Sequence, residues 1–261
     1  MELDIKNKIA IVTGASKGMG LATVKALLNH GVKVMMVSRD EDKLVELNKQ
    51  FNETGYITGY YTGDVANSDL AERVVSYTLE KWGNIHILIN NAGGPPKGSF
   101  LNHSQDIWDL SLQTNLLSVV RFSSIVSPIM KKNNWGRIVS ITSTVWKEPT
   151  PAMVLSATSR AGVTAFTKAI SKELAENNIT VNTICPGGVK TDRLKDLIKL
   201  RAEKENKTVD TLMKNIEQGI PAKRFADPDE IADIILFIVS EKGSYINGVN
   251  LPVDGSLLNS I

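Results

Sequence analysis

A glycine-rich turn is the part of this sequence best suited to hold a phosphate ligand. Residues Thr13 to Gly20 read Thr-Gly-Ala-Ser-Lys-Gly-Met-Gly, between a short apolar run and a helix-length stretch. Glycines allow a tight turn and let backbone N–H groups reach a pyrophosphate at the helix N-terminus, where the dipole favours anions. An ordinary turn between a strand and a helix could have the same composition. The strand–turn–helix context favours a dinucleotide site, and its predicted residues are Gly14, Ser16, Lys17, Gly18, Met19 and Gly20.

Two cations near this turn indicate which dinucleotide is bound. The second apolar run ends in Val37-Ser38-Arg39, where an acidic residue would accept hydrogen bonds from the ribose 2′-OH of NAD. Arg39 and Lys17 lie instead where a 2′-phosphate would be, and arginine can bind phosphate through two nitrogens. The acidic residue Asp40 argues against this preference, but it lies one position too late to replace Arg39. Both cations could also simply be solvated surface residues. We predict NADP(H) in preference to NAD(H).

The elements that must position these residues alternate along the chain. Apolar runs of four to six residues, rich in Val and Ile, occur at 8–13, 32–37, 85–89, 137–141 and 180–184. Helix-length stretches lie between or after them at 20–29, 42–51, 68–82, 107–130 and 159–176. Runs without polar alternation are typical of strands covered on both faces, and their alternation with helices predicts βαβ units. We predict α/β: one Rossmann-like domain over residues 1–261, a doubly wound parallel sheet of about seven strands with helices on both faces.

Composition and charge exclude several classes of protein. The 261 residues carry 30 basic and 28 acidic side chains, a net charge of +2, which argues against nucleic acid as the partner. The longest dense apolar run, Ile234 to Val239, is far shorter than a membrane helix, so we predict no membrane partner. The beginning, Met-Glu-Leu-Asp, has no basic-then-apolar signal region, which predicts a cytoplasmic protein.

Metal and disulfide chemistry are also not expected. The single cysteine, Cys185, rules out an internal disulfide and a cysteine-rich zinc site. The three histidines are far apart in the sequence and lack ligand spacing. We therefore predict no metal site, so that any chemistry has to come from a bound dinucleotide.

A charged segment follows the apolar run at 180–184. Residues 190–214 carry eight basic and five acidic side chains, with apolar residues spaced as in two surface helices. A charge run is usually a solvated face, but this one follows a strand where the ligand crevice of an α/β sheet lies. We predict that residues 190–219 are either such a face or a substrate lid.

Further motifs identify a family. Asn90-Asn91-Ala92-Gly93 follows the apolar run at 85–89, Pro186-Gly187 follows the run at 180–184, and Val253-Asp254-Gly255 lies near the end. Together with the Gly-x₃-Gly-x-Gly spacing, these motifs resemble the short-chain dehydrogenase/reductase family, and most closely its 3-oxoacyl-[acyl-carrier-protein] reductases. The resemblance covers essentially the whole chain. It implies that the dinucleotide also contacts Asp64, Val65, Asn91, Ala92, Gly93, Pro186, Gly187, Val189 and Thr191.

The same resemblance implies a catalytic set, and here the chain departs from the pattern. The family uses Asn and Ser, which correspond to Asn115 and Ser143, and a Tyr-x₃-Lys pair that runs into Ala-Gly-Val. Alignment on Ala161-Gly162-Val163 places Ser156 and Arg160 at the Tyr and Lys positions. No tyrosine occurs between Tyr77 and Tyr245, so the family's usual proton donor is absent.

The departure leaves alternative proton sources. Positions 156 and 160 share a helix face. Arg160 can hold a positive charge at the site and contact the dinucleotide, but it cannot shuttle protons. Our hypothesis is that water held by Ser143 and Ser156 delivers the proton while Arg160 stabilises the alkoxide. Alternatively, Ser156 is only a helix N-cap and Arg160 a ribose or surface contact. The possible substitute acids are Lys147, Glu148 and His103.

Two functions remain open. The first is an NADPH-dependent reductase of a ketone or 3-oxoacyl carbonyl, acting on a small molecule or an acyl thioester. The second is an NADP-binding regulatory or partner subunit without redox chemistry. An enzyme of the halohydrin-dehalogenase kind is disfavoured, because that group loses the dinucleotide loop and keeps the tyrosine. The resemblance also implies a homotetramer, or a homodimer, joined through the helices near 107–130 and 159–176.

Overall fold

Short β-branched runs form the central sheet. The structure, a computed structural model, describes residues 2–260, so the two ends of the predicted domain, Met1 and Ile261, lie outside the described residues. Seven strands are found within that range: β1 (Ile9–Thr13), β2 (Lys33–Ser38), β3 (Thr58–Thr62), β4 (Ile87–Asn90), β5 (Gly136–Ile141), β6 (Ile179–Pro186) and β7 (Asn250–Val253). All pairings are parallel, in the order β3-β2-β1-β4-β5-β6-β7. The predicted doubly wound parallel sheet is confirmed.

Helices cover both faces of this sheet. They are α1 (Gly18–Asn29), α2 (Glu41–Glu53), α3 (Leu70–Trp82), α4 (Gln105–Leu112), α5 (Ser118–Lys132), α6 (Val154–Leu174), α7 (Asp192–Glu205), α8 (Val209–Gly219) and α9 (Pro228–Val239). Alternate residues of β1 separate the two layers: Val12 packs in a cluster with α1, α2 and α9, whereas Ile11 packs with α3, α5 and α6. Such burial on both faces explains the apolar strands. No helix within residues 2–260 is long and apolar enough to cross a membrane.

The helix predicted at 107–130 is interrupted in its middle. A π turn, Gln113–Leu117, joins α4 to α5. Such a turn widens the helix locally and is frequent at functional sites. It places Asn115, a predicted site residue, at the irregular point of the helix.

The charged segment after β6 forms the two predicted surface helices, α7 and α8. They share a small apolar cluster of their own around Ile198, Leu212 and Phe225. A Cβ on Gly188 would lie 2.5 Å from the ring of Phe225, so glycine is needed for this cluster to pack beside the end of β6.

Candidate functional site

The predicted site residues gather at the carboxyl edge of the sheet. In this strand order, chain connections leave β1 and β4 in opposite directions, which opens a crevice between their carboxyl ends. The glycine turn follows β1, and Asn91 follows β4. The other predicted residues follow the ends of β2, β3, β5 and β6 or lie on α6 and in the π turn: Arg39, Asp64, Val65, Ser143, Ser156, Arg160, Asn115, Gly187, Val189 and Thr191.

The glycine turn forms a close-fitting backbone cradle. Gly14 has φ +59°, and a Cβ there would lie 2.0 Å from the carbonyl oxygen of Asn91. A Cβ on Gly20 would lie 2.2 Å from the carbonyl oxygen of Gly14. Ser16 is buried beneath the turn, and Met19 packs against the apolar core. Only glycine fits this geometry. Backbone N–H groups that no side chain covers, at a helix N-terminus, suit a diphosphate.

Asn91 ties the cradle to β4. Its backbone N–H donates to Oγ1 of Thr13 at 2.8 Å, and its side-chain Nδ2 donates to the carbonyl of Gly14 at 3.2 Å. Thr13 itself donates to the carbonyl of Ile89 at 3.4 Å. Sequence reasoning missed Thr13, although a buried hydroxyl at the last position of an apolar strand is a usable signal. These hydrogen bonds join the chain after β4 to the end of β1, on the two sides of the crevice.

Arg39 lies at the end of β2, beside the end of β3. Its Nη1 is 3.4 Å from Oδ2 of Asp64, and its side chain is 78% exposed. Lys17, just before α1, is also exposed. The carboxylate of the competing residue, Asp40, accepts from the backbone N–H of Lys43 at 3.1 Å as the N-cap of α2. Asp40 is therefore engaged in a helix cap, and Arg39 is an exposed side chain held, within the described residues, only by its long contact with Asp64.

Residues after β6 close the crevice from the other side. Thr191 caps α7 by accepting from the backbone N–H of Leu194 at 3.3 Å. A Cβ on Gly18 would lie 3.2 Å from its Cγ2, so the start of α7 lies against the glycine turn. Gly187 donates to the carbonyl of Val253, which docks this loop on β7. Val189, which follows Pro186 by three residues, is buried.

Ser156 and Arg160 interact on one face of α6, as predicted from their spacing. Nε of Arg160 donates to Oγ of Ser156 at 3.1 Å, and Nη1 donates to the carbonyl of Ile141 at 3.0 Å. Burial, then the positive charge of Arg193, lowers the pKa of Arg160 to about 10, against a smaller opposing effect of Cys185. Arg160 therefore stays cationic at neutral pH.

The alternative that Ser156 is a helix N-cap is wrong. Helix α6 begins at Val154 with Met153 at the cap position. Ser156 thus lies inside the first turn, is 3% exposed, and its hydroxyl faces Arg160 rather than the free N–H groups of the helix end.

A small cavity lies beside Arg160. It measures about 10 Å³, roughly the space of one water molecule. Its polar lining comes from Asn90, Asn115, Ser140, Thr142 and Arg160, and Ala92 closes one side. Asn115 is held there by a hydrogen bond from Nδ2 to the carbonyl of Ser111 at 3.1 Å. The cavity offers a place for a water beside Asn115 and Arg160, and neither Ser143 nor Ser156 lines it.

Two of the three possible substitute acids, Glu148 and Lys147, are hydrogen-bonded to the C-terminal residues. Oε1 of Glu148 accepts from the backbone N–H groups of Asn259 and Ser260, both at 2.8 Å. These hydrogen bonds lower the pKa of Glu148, whereas a proton donor at neutral pH would need a raised pKa. Lys147 donates to the carbonyl of Ser260 at 3.3 Å, and His103 packs against Gly98. Oγ of Ser143 accepts a long 3.5 Å hydrogen bond from the backbone N–H of Val145, in a turn of 3₁₀ helix.

An apolar cleft of about 490 Å³ lies next to the 3₁₀ turn Thr144–Trp146. Its walls come from the loop after β5 and the first turns of α6, and they include Trp146, Pro149, Pro151, Val154 and Ala157. Nε1 of Trp146 donates to Sγ of Cys185 at 3.1 Å, which fixes the indole between this cleft and the end of β6.

Comparison with known proteins agrees with this geometry. The chain is 34% identical over 252 residues to the 3-oxoacyl-[acyl-carrier-protein] reductase FabG of Chlamydia muridarum, covering 96% of this chain and 97% of that one. It superposes on L-sorbose reductase from Gluconobacter frateurii, solved with NADPH and L-sorbose, with TM-score 0.96, 27% identity and complete coverage of both chains. For actinorhodin polyketide ketoreductase with NADPH, the TM-score is 0.92 at 30% identity, covering 97% of this chain and 98% of that one. The family model described as short chain dehydrogenase matches residues 8–215, and the chain belongs to that family.

Proposed function

We propose that this protein is an NADPH-dependent reductase that converts a ketone or 3-oxoacyl carbonyl to an alcohol. The observation that carries the proposal is the guanidinium of Arg160, bound to Ser156 and placed beside the one-water cavity next to Asn115. The relatives named for 3-oxoacyl, polyketide and sorbose reduction support the reaction class.

The cradle and its neighbours would hold the cofactor. The backbone of Gly14, Gly18 and Gly20 receives the diphosphate, and Asn91 keeps that cradle in shape. Arg39 and Lys17 favour NADP(H) over NAD(H), because both are exposed cations at the adenine end. The NADPH in the solved relatives supports this preference. When bound, the reduced nicotinamide supplies a hydride to the carbonyl carbon.

Arg160 takes the role of charge stabiliser in place of the family's Tyr-x₃-Lys pair. As the carbonyl carbon gains hydride, its oxygen gains negative charge, and a preorganised cation in a water-poor site stabilises that charge strongly. An alkoxide is basic enough to take its proton from water, whose pKa is about 15.7. Water beside Arg160 and Asn115 supplies that proton, and the hydroxide left behind is reprotonated from bulk solvent, so one hydride on carbon and one proton on oxygen complete the alcohol. Ser156 and Ile141 orient the guanidinium.

The remaining parts have supporting roles. The segment 190–219 acts as a substrate lid, since α7 and α8 pack mainly on their own apolar cluster. The apolar cleft beside Trp146 receives the carbon skeleton of the substrate. We also propose a cytoplasmic homotetramer, or homodimer, in which exposed Leu110 and the exposed face of α6 are covered. Light scattering after size-exclusion chromatography measures the assembly.

Nicotinamide absorbance tests the main proposal. Purified protein with NADPH should consume the cofactor on addition of at least one member of a panel of oxoacyl thioesters, diketones, quinones and sugars. If NADPH binds but no member of the panel is reduced, the proposed reductase is rejected in favour of an NADP-binding protein without redox chemistry.

A further inference from the structure

Two guanidinium groups converge at the mouth of the crevice, and a lysine lies on the adjacent loop. A Cβ on Gly94 would lie 3.3 Å from Nη2 of Arg193 and 3.7 Å from Nη2 of Arg160, so both guanidinium groups border the same small space. Nη2 of Arg193 donates to the carbonyl of Pro95 at 3.1 Å, which anchors the start of α7 to the loop after β4. Lys97 lies on that same loop, two residues after Pro95. We call Arg160, Arg193 and Lys97 the cation cluster.

The cluster lacks an anionic partner within the described part of the chain. Across residues 2–260, no carboxylate oxygen lies within 4.0 Å of a charged nitrogen of any of the three side chains. Burial and then the charges of Arg201 and Arg193 lower the pKa of Lys97, and burial lowers the pKa of Arg193. Cations kept close together without a carboxylate favour the binding of an anion from solution.

Its position indicates which anion is bound. The glycine cradle, which suits the cofactor's diphosphate, follows β1, and Arg39 marks the adenine end at β2. Within the cation cluster, Arg160 is bonded to the end of β5 beside the one-water cavity, and Arg193 borders the same space at Gly94. The reacting carbonyl of the proposed function belongs on this side.

We propose that the cation cluster binds a carboxylate of the substrate, so that the preferred substrates are oxo acids rather than neutral ketones or thioesters. The inference rests on the proposed function, because it places the carboxylate beside the carbonyl that is reduced. The planar fork of Arg193 matches a carboxylate through two parallel hydrogen bonds, and Lys97 adds a point charge. Arg160 faces the carbonyl oxygen while Arg193 and Lys97 hold the carboxylate.

A matched pair of probes tests the charge preference. Acetoacetate and methyl acetoacetate differ at the carboxylate and present the same 3-oxo group. Reduction of each is measured for wild type, Arg193→Gln, Lys97→Gln and the control Lys195→Gln, an exposed residue on α7 that pairs with Asp192. We expect wild type to prefer the acid by about 10- to 100-fold in kcat/KM, as charge-assisted hydrogen bonds would give. Arg193→Gln should lower kcat/KM for the acid by clearly more than for the ester, so that most of the preference is lost; Lys97→Gln should remove less of it, and Lys195→Gln none.

A binding measurement separates the two possible sources of the anion. The Kd of NADPH and the Kd of acetoacetate for the NADP⁺ complex are measured by calorimetry for wild type and Arg193→Gln. Weaker binding of acetoacetate alone supports the proposal. If Arg193→Gln weakens NADPH and leaves the acid-to-ester ratio unchanged, the cluster serves the cofactor's diphosphate and the proposal is overturned.

The same measurement distinguishes this proposal from the proposed function. Acetoacetate bound through Arg193, without reduction of any carbonyl, would reject the reductase and retain the anion site. Reduction of acid and ester with equal efficiency would reject the anion site and retain the reductase.

Discussion

The guanidinium of Arg160 donates from Nε to the hydroxyl oxygen of Ser156 at 3.1 Å, one helical turn away. A second hydrogen bond reaches the carbonyl of Ile141, the last residue of β5. The cation is thus oriented from two elements at once, α6 and the sheet. Such preorganisation is what electrostatic catalysis requires, because the charge does not have to reorient during reaction.

Removal of this cation should slow the chemical step. Arg160→Gln should lower kcat by about 100- to 1,000-fold, the usual loss for one preorganised donor, and Arg160→Lys should lower it less because the charge remains. Single-turnover reduction, with the Kd of NADPH and Tm measured alongside, separates chemistry from folding. Lys172→Gln, an exposed cation near the end of α6, is the control. Equal kcat in wild type and Arg160→Gln would contradict the role of Arg160.

The pH dependence should differ from that of an enzyme with a titrating acid. Arg160 is protonated below its pKa of about 10, where it can stabilise the alkoxide, and loses this ability above it. Among the groups facing it, Arg193 lowers the pKa and Cys185 opposes that effect. We expect kcat to be flat between about pH 6 and 9 and to fall above about pH 10. An apparent pKa between 6 and 9 would instead indicate another proton donor.

Cofactor preference should depend on Arg39. Arg39→Ala should raise the KM for NADPH by about 10- to 100-fold, because a charge-assisted hydrogen bond contributes roughly 1.5–3 kcal/mol. The KM for NADH, which lacks the 2′-phosphate, should stay unchanged or fall. Lys43→Gln, an exposed cation on α2 that pairs with Glu46, is the matched control. A parallel rise for both cofactors would argue against 2′-phosphate recognition.

The glycine cradle can be tested by stability. Gly14→Ala places a Cβ 2.0 Å from the carbonyl oxygen of Asn91 at φ +59°, whereas Gly55 has φ +88° with open space around it. Gly55→Ala should cost only the backbone penalty of about 1–2 kcal/mol. Gly14→Ala should cost clearly more and weaken NADPH binding as well. Equal free energies of unfolding for the two variants would mean that the turn relaxes and the close contact with Asn91 is unimportant.

The double variant Ser156→Tyr with Arg160→Lys should raise turnover of generic ketones. It supplies a phenol whose pKa is near 10, which donates a proton more readily than a serine hydroxyl. The single variants are the controls, because neither restores the pair alone. Unchanged turnover across a ketone panel would argue that the proton step does not limit this protein.

The sequence alone was enough to predict the sheet, most of the helices and the position of the crevice. Apolar runs such as 137–141 are strongly patterned because both faces of the strand are buried, and the glycine turn is a local motif whose backbone needs are visible residue by residue. The spacing of 156 and 160 also predicted their shared face, since helical periodicity is local.

Tertiary structure decided what these side chains contact. The alternative that Ser156 caps α6 was wrong because the helix begins two residues earlier. Glu148, one of three possible acids, accepts hydrogen bonds from the backbone of Asn259 and Ser260. The closeness of Arg193 to Arg160, and the one-water cavity beside Asn115, arise where α6, α7 and the π turn meet. Local pattern determines which residues form an element and which face is apolar. Contacts between residues far apart in sequence depend on how whole elements pack, and only the folded chain specifies them.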